Sequence, residues 1–125
     1  MRAFAANGQL WRVVRVPVGD PRLVDRTGAP RLATTDPVTH TVCLREDVEP
    51  PLLDQVALHE AAHVVTIGML PQLHAMVPYE SRVHVEEWAA RAMELHGLEA
   101  VDVASRMLGR PVCVRGICGG QPRQD

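Results

Sequence analysis

Leu52-Leu53-Asp54-Gln55-Val56-Ala57-Leu58-His59-Glu60-Ala61-Ala62-His63-Val64-Val65-Thr66-Ile67 decides how this chain is read. Apolar residues recur through it at helical spacing, so it is expected to be a helix ending at Gly68, with Pro71 beyond. Val56, Ala57, Leu58, Ala61, Ala62, Val64, Val65 and Ile67 cover most of its circumference, which predicts burial. Gln55, His59, Glu60, His63 and Thr66 fall on one remaining arc. Buried polar groups without partners are costly, so that arc must face a cleft or be satisfied by something bound there.

His59 and His63 are four residues apart and stand one above the other on a helix. Both imidazoles can then reach a single cation, and imidazole suits Zn2+. Glu60 sits about 100° around the helix from His59, where it can touch a water on the metal without ligating the metal. A carboxylate in that position can act as general base. The competing reading is a core helix whose histidines are satisfied by nearby backbone.

A zinc site of this kind needs a third protein ligand. Glu86 and Glu87 lie early in a second expected helix, about Val83 to His96, which stops at Gly97. On its wheel Val85, Trp88, Ala89, Ala92 and Met93 form the buried side, which makes Trp88 a core residue. Glu86 flanks that side with Ala90, whereas Glu87 falls with Arg91 and Glu94 toward solvent. The wheel therefore favours Glu86 over Glu87 as third ligand, with His74 and His84 as rivals. Two acids near a helix N-terminus also occur for the sake of its positive end alone.

Upstream, Leu10 to Val18 is rich in β-branched residues and reads as a strand closed by Pro17. Arg31 to Thr35 adds a short strand before the Asp36-Pro37 turn. His40 to Leu44 alternates, with Val42 and Leu44 on one face and Thr41 and Cys43 on the other. Glu49-Pro50-Pro51 opens the motif helix, and a last helix over Glu99 to Leu108 stops at Gly109. The fold class is thus α+β: a short N-terminal sheet of about three strands, the motif helix, a glutamate helix and a C-terminal helix. A single domain over residues 1–109 is expected, followed by a tail over 110–125 that is mobile at least from Gly119.

With 125 residues there is room for one modest core. A net charge of −2 leaves no basic footprint, and two Trp, one Tyr and one Phe are too few for base-stacking platforms, so nucleic acid is not an expected partner. No apolar run is long enough to span a bilayer, and the first ten residues do not read as a signal peptide. Cys43, Cys113 and Cys118 lack zinc-finger spacing and suit a reducing cytoplasm. Cys113 and Cys118 read as two free thiols rather than a bridge.

TTDPVTHTVCL, LHEAAHVV and VPYESRVHVEEWAARAMELHGLE together resemble the small HExxH proteins of phages and integrated mobile elements, which are similar to minimal gluzincins. The resemblance spans about Trp11 to Leu108. It implies a zinc-dependent metallopeptidase holding one Zn2+ through His59, His63 and Glu86 or Glu87. Glu60 would be the catalytic base, and the substrate a peptide or protein. It also implies that His40 to Leu44 is the edge strand lining the cleft, where an extended peptide could bind through its backbone. Ala90 stands where larger relatives carry an acid that orients a ligand histidine. Tyr79 and His84 are candidates for stabilising an oxyanion. The alternative function is a non-catalytic zinc-binding module with a regulatory or interaction role.

Overall fold

The computed structural model describes residues 2–114 and 116–119. Four strands form the N-terminal sheet: β1 (Arg2–Ala6), β2 (Gln9–Val16), β3 (Ala33–Asp36) and β4 (Thr41–Arg45). Their spatial order is β1-β2-β4-β3, with β2 and β4 parallel and the two outer pairs antiparallel. The helical half follows as α1 (Leu52–Thr66), α2 (Leu70–Ala75), α3 (Arg82–Ala92) and α4 (Leu98–Leu108). A hairpin of β5 (Val112–Val114) and β6 (Ile117–Gly119) packs after α4. The α+β class and element order match the expectation, with one strand more in the sheet and with α2 and the terminal hairpin added.

β1 is that additional strand. Its alanine-rich sequence, Arg-Ala-Phe-Ala-Ala, has weak strand propensity. The Asn7-Gly8 turn makes it pair, because both residues adopt the positive φ (53° and 70°) of a tight hairpin loop. Asn7 also donates from Nδ2 to the carbonyl of Val64 at 2.6 Å, tying the hairpin to α1.

The sheet presents Trp11, Ala33, Val42 and Leu44 to α1, which answers with Val64 and the partly buried Leu53, Val56 and Ile67. Full burial of an aliphatic side chain such as Val64 is worth about 1.5–3 kcal/mol, and Trp11 contributes a larger apolar area. On the opposite face Val16 and Cys43 pack under Leu23. Val42 and Cys43 thus point to different faces, as the alternation requires. Arg15 donates through Nη2 to the carbonyls of Arg45, Glu46 and Val48, fixing the approach to α1.

Two expected helix stops are absent. Gly68 lies in a 3-10 turn (Ile67–Met69) that leads straight into α2, where Pro71 occupies the first turn and its missing N–H costs nothing. Gly97 has helical angles (φ −62°, ψ −47°) and closes a π-turn, Met93–Gly97, that joins α3 to α4. Gly109 is a true stop, with a left-handed φ of 70°.

α3 is also rotated from its expected setting. Glu86, Ala89 and Ala90 are buried, while Trp88 is 63% exposed and Met93 is exposed as well. Small residues let the α3 backbone approach its neighbours closely, and the large Trp88 is turned outward. The free-thiol expectation for Cys113 and Cys118 is likewise replaced: the two form a disulfide across β5 and β6. Residues 112–114 and 117–119 are therefore in strands, and residues 115 and 120–125 lie outside the described ones. No helix among the described residues is long and apolar enough to cross a membrane.

Candidate metal centre

α1 lies between the sheet and α3, so its polar arc opens toward both. His59 and His63 stand with ring centroids 4.9 Å apart and planes at 84°. Across from them, Glu87 spans the pair: Oε1 lies 3.1 Å from Nε2 of His63, and Oε2 lies 3.5 Å from Nε2 of His59. One ligand atom each from His59, His63 and Glu87 lies within 4.8 Å of the others, a spacing that can hold a metal ion. Two imidazoles and a carboxylate are a donor set that a divalent metal ion can take.

The carboxylate at this group is that of Glu87, and not that of Glu86, which the wheel favours of the two. Glu86 points deeper, where Nη2 of Arg26 pairs with its Oε1 at 3.0 Å. Nε2 of His74 lies 3.3 Å from its Oε2, although neither of these buried atoms has a hydrogen-bond partner. Glu86 is thus paired with Arg26 and close to His74, and the carboxylate grouped with the two motif histidines is that of Glu87. His84 is exposed and Tyr79 is 78% exposed, stacked under the guanidinium of Arg82. Neither is among the residues lining the cleft.

Glu60 is 6% exposed and turns toward β3, where the Thr35 hydroxyl donates to its Oε1 at 3.1 Å. Burial pushes its carboxyl above the ordinary glutamate range, against the pull of His63, His59 and the Thr35 hydrogen bond. A carboxyl raised in this way holds a proton more readily than an exposed glutamate does. Thr35 had no sequence signal beyond its place on an expected strand.

A cleft of about 1170 Å3 runs past these groups, with β3 as one wall and His59, Glu60, His63 and Glu87 opposite. The strand at its edge is β3; the resemblance had implied His40 to Leu44. β4 is interior to the sheet, hydrogen-bonded to β2 on one side and β3 on the other, so it has no free edge to offer. β3 carries its ladder to β4 and lies at the sheet edge.

The loop before β3 completes the mouth of the cleft. Asp25 organises it, accepting from the Thr27 and Ala29 amides and the Thr27 hydroxyl, and pairing with Nε of Arg31 at 2.6 Å. The Thr27 hydroxyl, Arg31 and the two amides hold the Asp25 carboxyl far below the usual carboxylate range. That ordering delivers Arg26 to Glu86.

Comparison with protein-family models, with curated proteins and with solved structures finds no match to this chain.

Proposed function

We propose that the chain is a zinc-dependent metallopeptidase, hydrolysing peptide bonds of a peptide or protein held along β3. The observation that carries this reading is the buried Glu60 carboxylate lying in one cleft with the His59, His63 and Glu87 donor group. His59, His63 and Glu87 would hold a single Zn2+. Bound zinc supplies Lewis acidity to the scissile carbonyl and makes water acidic enough to ionise near pH 7.

The chain's own residues supply the rest. Glu60 takes the proton of the attacking water on its carboxylate and returns it to the departing amine, a role its raised carboxyl favours. Thr35 holds Oε1 of Glu60, leaving the other oxygen for the water. The outer edge of β3 offers backbone groups to an extended substrate, as in strand addition. The resemblance of the HEAAH and EEW segments to minimal gluzincins agrees with this assignment.

A second reading, a zinc-binding module without turnover, is favoured by how deeply Glu60 is set. One experiment separates the two. Protein purified without chelator is assayed for metal and then incubated with a peptide library, alongside Glu60→Gln. The peptidase reading expects one zinc per chain in both proteins, with cleavage lost in the variant. Zinc without cleavage by the parent protein supports the module. Absence of zinc from both sinks both.

A further inference from the structure

Glu94 stands seven residues beyond Glu87, about two turns along the same helical stripe. That stripe runs antiparallel to α1, so Glu87 meets His63 while Glu94 meets His59 one turn earlier. Oε2 of Glu94 lies 2.7 Å from Nδ1 of His59, a short charge-assisted contact. Glu94 belongs to the π-turn Met93–Gly97, a local widening of the helix of the kind that recurs at functional sites.

The chemistry of the contact is directional. An ionised carboxylate only accepts, so the proton of this hydrogen bond sits on Nδ1 of His59. In the neutral imidazole, the form that binds a metal, this leaves the lone pair on Nε2, the atom that faces Glu87. Such a contact fixes the tautomer, restrains the ring and raises the basicity of the ligating nitrogen. Four residues after Glu87 stands Arg91, which brings no acid.

We infer that Glu94 is a positioning residue for the metal centre: it is not a ligand, and it holds His59 in the orientation and tautomer that binding requires. The inference rests on the zinc reading above. It assigns the π-turn a purpose, since this turn carries the carboxylate that reaches Nδ1.

The test uses the full chain, with zinc affinity measured by competition against a chromophoric chelator and the absorption spectrum recorded with Co2+ in place of zinc. Glu94→Ala is expected to weaken zinc binding by about 10–100-fold and to alter the Co2+ bands. Glu94→Gln keeps an oxygen that can accept from Nδ1 and is expected to recover most of the affinity. Circular dichroism confirms that each variant is folded; if Glu94→Ala is not, Glu94→Asp, whose shorter side chain falls back from Nδ1, takes its place with the same expectation. A merely structural contact predicts lower melting temperatures with unchanged affinity and unchanged Co2+ bands, and that result overturns the inference. Parent protein that binds no zinc, or binds it equally well after His59→Ala, removes the zinc reading and this inference with it. Zinc binding that needs His59 but ignores Glu94 removes this inference alone.

Discussion

Nη2 of Arg26 lies 3.0 Å from Oε1 of Glu86, and this ion pair joins the loop at the cleft mouth to the buried side of α3. It commits Glu86 to a structural role and leaves its neighbour Glu87 to face the two imidazoles. The two adjacent acids thus do different work.

Substitution at the two positions separates these roles. Glu87→Ala is expected to cost zinc affinity more than the ~10–100-fold that loss of a supporting contact costs, because it removes one of the three proposed protein ligands. Glu86→Ala leaves Arg26 and the half-buried His74 without their acid, so it is expected to lower stability while the folded protein still binds zinc. Isothermal titration with zinc and urea denaturation, run on both variants, read the two effects. Equal loss of zinc affinity in the two variants contradicts the assignment.

Asp25 makes the cleft mouth sensitive to acid. Its carboxyl is held below its unfolded value near 3.9 by the Thr27 hydroxyl, Arg31 and the loop amides. A depressed carboxyl adds stability above the unfolded value, and that stability drains away as pH falls toward the folded one. The gap in urea midpoint between the parent and Asp25→Ala is therefore expected to be constant above about pH 5 and to shrink below about pH 4. A gap that widens on acidification is the contrary result.

The two tryptophans should behave oppositely. Trp11 is 1% exposed between the sheet and α1, and Trp11→Ala is expected to cost about 3–5 kcal/mol. Trp88 faces solvent, and Trp88→Ala is expected to stay within about 0.5 kcal/mol. Chemical denaturation monitored by far-ultraviolet circular dichroism measures both. A large loss at Trp88 would restore the helix setting read from the wheel.

Asn7 combines a conformational and a bonding role. Asn7→Gly keeps the turn geometry and loses only the bond to Val64, an expected cost of about 0.5–1.5 kcal/mol. Asn7→Ala adds the strain of a side chain at positive φ, roughly 1–2 kcal/mol more. Thermal melts of the two variants should rank in that order.

Much of this was legible in the residues. Helical spacing put His59, Glu60 and His63 on one arc, and the structure gathers them in one cleft. Alternation through Val42, Cys43 and Leu44 sorted those side chains to the correct faces. The wheel failed at α3 because it ranks positions by apolarity, whereas close helix packing here selects small size, at Ala89 and Ala90. It also could not anticipate that Arg26, sixty residues away in sequence, would claim Glu86. Strand order was hidden for a related reason: the alternation of β4 sorts its side chains between two faces and does not say which strands lie beside it. β1 was missed although Asn7-Gly8 is a strong hairpin signal, because its alanines do not look like a strand.

The parallel pairing of β2 with β4 sets a limit on dissection of the molecule. Every side chain proposed to hold or orient a metal belongs to residues 59–94, yet the greasy underside of α1 rests on strands drawn from residues 2–45. An excised peptide holding only the helices would expose that underside to water and lose the wall against which Glu60 leans. Miniaturising the centre would therefore require grafting both helices onto a substitute sheet whose outermost strand reproduces the hydroxyl of Thr35.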